Sequence, residues 1–357
     1  MFMIRTFLFV LFWTISAVFF PLAVHAQTQD AVLQHIYEKR VDLQKSFDAK
    51  TGFAISGSAA GFLIDLEDWA KQYGWREYLE LSAYKPDTKT LPIALGSSST
   101  PVVTANAFIV IDRNSGLILA EHHANLVWPI ASITKLMTAD LLLESGTSLS
   151  SVRTIEQVDE VGGACLNVPA GTKYTLEDLL YAALVASANN AANAVARASG
   201  MEKTNFVEAM NTKAEILRLP HTQFVDPTGI ETGNVSTPRE LAKLAMELFA
   251  RQDLRRYAGT TSHTLTNLSD GTTRRLVNSN WMLWKPQYDD VYVMSGKTGY
   301  LDESGWNLVV SLRPEYEDVD REILLVLFGA DSRAQSFEDA HALVKWAWNN
   351  HAWTEKQ

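Results

Sequence analysis

Residues 106–144 read NAFIVIDRNSGLILAEHHANLVWPIASITKLMTADLLLE. Asn106 to Asp112 and Leu117 to Glu121 are short apolar runs, and Arg113-Asn114-Ser115-Gly116 between them is turn chemistry, so the pair reads as a β-hairpin. His122-His123 is then most simply a strand end and loop. Pro129-Ile130-Ala131 leads into a helix over Ser132 to Glu144.

The rest of the domain follows outward from this stretch. Thr175-x-x-Asp178 resembles a capping box and opens an apolar helix that ends near Ala186. Thr204 can cap the next helix, to about Leu217. Thr237-Pro238-Arg239-Glu240 combines an N-cap, a proline at the first helical position and an acid two residues later, and starts a helix to about Ala250. Strands are expected at Val291 to Ser295, Trp306 to Arg313 and Glu322 to Gly329, and an amphipathic helix at Ser336 to Asn350. Strands at both ends with helices between them imply one α/β sandwich domain over 101–357, with an antiparallel sheet assembled from both termini.

Residues 27–100 have a different texture. Ala31 to Phe47 and Phe62 to Tyr73 read as helices separated by the Gly/Ser/Ala stretch Gly52 to Gly61, and Leu91 to Thr100 reads as a loop or linker. The Trp and Tyr residues of this segment are core rather than glycan-binding on this reading. Ahead of it, Arg5 and the apolar run Phe7 to Phe20 precede Val24-His25-Ala26, with small residues three and one before a cut at Gln27. Residues 1–26 therefore have the layout of a secretory signal peptide, which places the remaining chain outside the cytoplasm; an uncleaved anchor would tie it to the membrane instead.

Composition narrows the function. The 357 residues are 47% hydrophobic and 20% charged, enough apolar material for a packed core. A net charge of −10 argues against nucleic acid as a partner. The single cysteine, Cys165, excludes an intrachain disulfide framework. The eight histidines include no His-Glu-x-x-His and no compact His/Asp set, so no metal or other cofactor is expected.

Three short motifs carry chemistry. In Ser132-Ile133-Thr134-Lys135 the serine and lysine lie three apart, on one helix face, so hydroxyl and amine can meet. Serine is a weak nucleophile until a base takes its proton, and lysine can be that base only if burial or a nearby cation lowers its pKa. Ser187-Ala188-Asn189 follows an apolar helix; both polar side chains can point into one cleft, where Ser187 can relay a proton and Asn189 can hold a substrate amide and pack against Lys135. Lys297-Thr298-Gly299 ends a strand: Lys297 and Thr298 suit a terminal carboxylate, and Gly299 lets substrate approach the backbone. Singly, each is as well read as a helix start, a cap or a charged turn. Together, in this order and 55 and 110 residues apart, they form the set shared by penicillin-binding proteins and class A β-lactamases.

On these residues the chain resembles the serine D-alanyl-D-alanine carboxypeptidases, the low-molecular-mass penicillin-binding proteins. The resemblance spans about residues 101–350 and includes Ala131 to Thr138, Ser187-Ala188-Asn189-Asn190-Ala191, Phe224-Val225-Asp226-Pro227-Thr228-Gly229 and Ser295-Gly296-Lys297-Thr298-Gly299-Tyr300. It implies a three-layer sandwich, a five-stranded antiparallel sheet with helices on both faces, plus an all-helical subregion. It also implies Ser132 as the acylated nucleophile, Lys135 as general base and Ser187 as the proton shuttle to the leaving amine. Lys297, with Asn189, Thr298, Gly299 and Tyr300, would hold the substrate, and the backbone N–H groups of Ser132 and Tyr300 would form the oxyanion hole. The implied substrate is the D-Ala–D-Ala terminus of a peptidoglycan stem peptide, with β-lactams as inhibitors. Three departures stand out. Asn190 replaces a common Asp, residues 27–100 match nothing assignable, and the sequence stops soon after the last helix, where many relatives continue into a β-rich domain and a membrane anchor.

An endopeptidase acting on cross-links would use the same residues. A β-lactamase would add a glutamate for the deacylating water, and no Glu-x-x-Leu-Asn lies between Ser187 and Lys297. A non-catalytic wall-binding protein would have no use for an intact set of six motif side chains.

Overall fold

The computed structural model describes residues 84–96 and 98–355. Its main strands are β1 (Thr90–Ala94), β2 (Ala107–Asp112), β3 (Ile118–His122), β4 (Tyr292–Leu301), β5 (Gly305–Arg313), β6 (Ile323–Ala330) and β7 (His351–Glu355). Its helices are α1 (Lys135–Glu144), α2 (Leu176–Leu184), α3 (Asn189–Ala198), α4 (Lys203–Ile216), α5 (Pro238–Leu248), α6 (Gln252–Ala258) and α7 (Arg333–Asn350). Short pairings also join Trp128–Pro129 to Val235–Ser236, Val152–Thr154 to Lys173–Thr175, and Ser262–Thr266 to Thr273–Val277.

The central sheet has the order β4-β5-β6-β2-β3, antiparallel throughout, and is drawn from both ends of the domain as the sequence implies. Every residue of β2 (AFIVID) and β6 (ILLVLFGA) is buried. Both strands are continuous apolar runs because helices cover both faces of the sheet. On one face Phe337, Leu343 and Val344 of α7 pack with Val110, Leu308 and Leu325. On the other α5 lies against β2 and β6, beside a helical subregion in which α1 touches α2, α3, α4 and α6. The three-layer arrangement and the helical subregion are those expected.

Local capping explains two helix starts. Thr175 Oγ1 accepts from the Asp178 N–H at 3.0 Å, and Thr237 Oγ1 from the Glu240 N–H at 3.1 Å. Beside the sheet, the buried Glu322 carboxylate is ringed by Arg113 (3.3 Å), Arg255 (2.5 Å) and Arg313 (2.8 Å). Burial pushes this carboxyl up, but Arg113 and Arg255 outweigh it and hold it below the usual glutamate range.

Several boundaries differ from the sequence reading. Within Leu91 to Thr100, expected as a loop, Leu91 to Ala94 belong to β1, which pairs with β7 about 260 residues later; only that distant partner makes this segment a strand. β4 does not stop at Ser295 but runs through Leu301, so Lys297-Thr298-Gly299 lies on the strand, as expected, but within it rather than past its end. α4 starts at Lys203 behind Glu202 without a side-chain cap, so Thr204 lies inside the helix. The helices expected at Ala31 to Phe47 and Phe62 to Tyr73, and the leader, lie outside the described residues.

Candidate active site

Ser132 sits in a 3-10 turn, Ala131–Thr134, that feeds α1. The sequence reading gave an α-helical turn; with three residues per turn the 3-10 form stacks positions i and i+3 more directly. Lys135 Nζ accordingly lies within hydrogen-bond reach of Ser132 Oγ, at 2.7 Å. The turn is entered through Ala131 in the left-handed region (φ 51°), where a residue with a Cβ is strained. Two glycines hold it there. A Cβ on Gly229 (φ 80°) would meet the Ala131 carbonyl oxygen at 1.9 Å, and one on Gly299 would meet the Ile130 oxygen at 2.6 Å and the Ser132 nitrogen at 3.3 Å. Gly299 therefore does let backbone come close, and the backbone it admits is the turn that carries Ser132.

Lys135 is fully buried. Its side-chain nitrogen also donates to Asn189 Oδ1 (2.7 Å) and the Thr228 carbonyl (2.6 Å). Burial, and then the charge of Lys297, push its pKa well below the ordinary lysine value, against the opposing pull of Asp226. Asp226 sits in a tight loop and accepts from the Thr228 N–H (2.6 Å), the Gly229 N–H (2.9 Å) and the Glu231 N–H (3.0 Å). Burial would raise this carboxyl, but those hydrogen bonds win and hold it below the usual range.

Ser187 lies between α2 and α3 with φ 60°. Its Oγ accepts from Lys297 Nζ at 2.9 Å, and Lys297 Nζ also reaches the Thr298 carbonyl at 2.9 Å. Lys297 is buried, and desolvation followed by the charge of Arg333 lowers its pKa to about 7. Thr298 Oγ1 is 2.6 Å from Ser279 Oγ. Asn189 opens α3; its amide nitrogen donates to the Gly162 carbonyl at 2.8 Å while its oxygen takes Lys135. Asn190, at the variant position, accepts from the Leu166 N–H (3.0 Å) and donates to Glu160 (2.8 Å), so it organises the adjoining loop rather than the reacting groups.

Residues from a helix start, an interhelical loop and an edge strand are thus in one place. The hydroxyl–amine pairs Ser132–Lys135 and Ser187–Lys297 stand side by side there. Tyr300 is on the same strand, its ring stacked on Trp306 at 4.3 Å and its hydroxyl donating to Asp302 at 2.6 Å. Sequence reading missed the Thr228 carbonyl, the Gly229 fulcrum, Ser279 and Arg333. The Asp-Pro-Thr-Gly string was a turn signal for the first two; Arg333 had no local signal, because it comes from the start of α7, beyond the sheet. Among the described residues no group of three or more His, Cys, Asp or Glu could hold a metal ion.

Fold and site together define a penicillin-binding type of serine peptidase. Residues 95–332 match the D-alanyl-D-alanine carboxypeptidase family, and the chain belongs to it. It is 33% identical over 207 residues to a D-alanyl-D-alanine endopeptidase of Haemophilus influenzae, covering 57% of this chain and 69% of that one. It is 31% identical over 271 residues to a D-alanyl-D-alanine endopeptidase of Pseudomonas aeruginosa, covering 75% and 85%. The Streptomyces K15 DD-transpeptidase superposes with a TM-score of 0.64 over 71% of this chain and all of that one, at 24% identity, a likeness of fold.

Proposed function

We propose that the chain hydrolyses the peptide bond following a D-alanine residue in peptidoglycan stem peptides, through an ester on Ser132. The observation that carries this reading is the environment of Lys135 Nζ. A neutral amine has two N–H bonds and one lone pair. Asn189 Oδ1 and the Thr228 carbonyl are pure acceptors and take both N–H bonds. The lone pair is left facing the Ser132 hydroxyl, the partner that can donate. Burial, and then the Lys297 charge, favour the neutral amine, so proton transfer from Ser132 to Lys135 can accompany attack on the substrate carbonyl.

The remaining steps use the second pair. The new Ser132 Oγ–carbon bond gives an oxyanion, to be held by the backbone N–H groups of Ser132 and Tyr300; such donors contribute about 3–4 kcal/mol. Collapse breaks the carbon–nitrogen bond, and Ser187, joined to Lys297, passes a proton to the leaving amine. Lys297, Thr298 and Arg333 present positive charge and a hydroxyl to the carboxylate beside that amine, and Asn189 and Gly299 line the acyl side. The proton taken by Lys135 passes back to the Ser187–Lys297 pair, replacing the one given to the leaving amine; water then cleaves the ester with the freed Lys135 as its base, and that proton returns to Ser132. A β-lactam would acylate the same oxygen and hydrolyse slowly.

Release of terminal D-alanine and cleavage of a cross-link differ only in the leaving amine. The two endopeptidase relatives favour the cross-link reading over simple carboxypeptidase action. A leader at residues 1–26 would deliver the chain to the periplasm or cell-wall space where this substrate lies. Fluorescent penicillin should label the wild type and not Ser132→Ala; labelling of the alanine variant would refute the nucleophile. Incubation with a pentapeptide and with a cross-linked dimer then reads the leaving group.

A further inference from the structure

Beside Thr298 the segment 279–285 and the start of α7 lie together, and of their side chains the chemistry above uses only Arg333. Trp281 carries two cations: Lys285 Nζ is 3.1 Å from its ring centroid and the Arg333 guanidinium 4.8 Å. The ring itself is stacked on buried Phe337 at 5.4 Å, which fixes it. Arg333 is tied to the Ser279 carbonyl at 2.8 Å, and the Ser279 hydroxyl to Thr298. Trp284, anchored by its ring N–H to the Asn278 carbonyl at 2.9 Å, leaves 41% of its surface exposed, with Lys285 5.8 Å from its ring. No ion pair to a carboxylate is formed by Lys285 or Arg333 among the described residues, in a chain with ten more acids than bases.

Two positive charges held on one rigid ring, neither ion-paired with a carboxylate among the described residues, suit an anionic ligand. On the reading above Arg333 takes the carboxylate beside the scissile bond; Lys285, on the same Trp281 ring, and Trp284 next to it are the neighbouring groups. A released D-alanine ends at that first carboxylate and has nothing to give them. A cross-linked substrate continues into a second stem peptide, which bears further carboxylates and aliphatic stems. We infer that Lys285 and Trp284, fixed by Trp281, form a leaving-side subsite for the anionic second peptide of a cross-link. The inference rests on the DD-peptidase reading of the site and names the part of the surface that selects among its substrates.

The test compares Lys285→Ala and Trp284→Ala with the wild type on a cross-linked muropeptide dimer and on an uncross-linked pentapeptide. The ratio of kcat/KM for dimer over pentapeptide should fall about fivefold or more in each variant, through KM, as befits loss of one charge or one stacking face. Lys285→Arg, which keeps the charge, should restore most of the ratio. A ratio that stays at the wild-type value in both alanine variants would overturn the inference. Fluorescent-penicillin labelling of the same preparations separates the two claims: an unlabelled wild type refutes the peptidase reading, whereas labelled variants with an unmoved ratio refute only the subsite.

Discussion

At the residue scale the site is two lysines made unusual by burial. Lys297 would titrate near 10.5 in an unfolded chain and titrates at about 7 here. Between those values the unfolded chain holds the extra proton, so stability rises with pH across that window, and below about 7 the folded state bears the full cost of a buried cation. Lys297→Met should reduce the gain in Tm between pH 7 and about pH 10 measured by calorimetry; an unaltered slope would contradict this assignment. The same titration bears on activity. A carboxylate substrate needs the charged form, so KM should climb above about pH 7, and Lys297→Arg, always charged, should remove that alkaline limb. Lys135→Ala should reduce acylation by about 100- to 10,000-fold, the range of a lost general base. The three motif side-chain types were legible as sequence because chemistry dictates them. The acceptors that orient them were not, since the Thr228 and Gly162 carbonyls are backbone and any residue could supply them.

At the element scale the turn that carries Ser132 is set by its neighbours. Ala131 holds a left-handed conformation because α1, β4 and the 226–229 loop converge on it, and the convergence requires glycines where a Cβ has no room. Gly229→Ala, with the deeper clash and a positive φ, should destabilise by more than Gly299→Ala in urea unfolding. Gly299→Ala should fold and lose acylation, because it moves β4 off Ser132. Equal stability losses, or full acylation of Gly299→Ala, would count against this picture. Helix starts capped by Thr175 and Thr237 were readable because a cap is a local exchange of hydrogen bonds. β1 was misread, and β4 was cut short at Ser295, because pairing with a distant strand is decided by tertiary contacts that no window of sequence contains.

At the scale of the whole molecule, a sheet assembled from both ends of the domain brings an edge strand beside a helix start. The alternation of apolar strand runs and capped helices was enough to expect that sandwich; the arginine ring around Glu322, which ties β5, the residue just before β6, α6 and the β2–β3 turn together, was not legible, because its members lie up to 209 residues apart. Glu322→Gln should destabilise by about 3–5 kcal/mol, as removal of the anion leaves three guanidinium groups uncompensated. A loss below about 1 kcal/mol in chemical unfolding would show that the cluster is solvated in practice.

The central claim is that Ser132 is the atom that becomes acylated, deprotonated by Lys135. Its most direct test is mass spectrometry of the penicillin-treated protein with peptide mapping. The account predicts one added penicilloyl group on the peptide containing Ser132, lost in Ser132→Ala and slowed in Lys135→Ala. An adduct on any other residue, or none on a folded wild type, would contradict it.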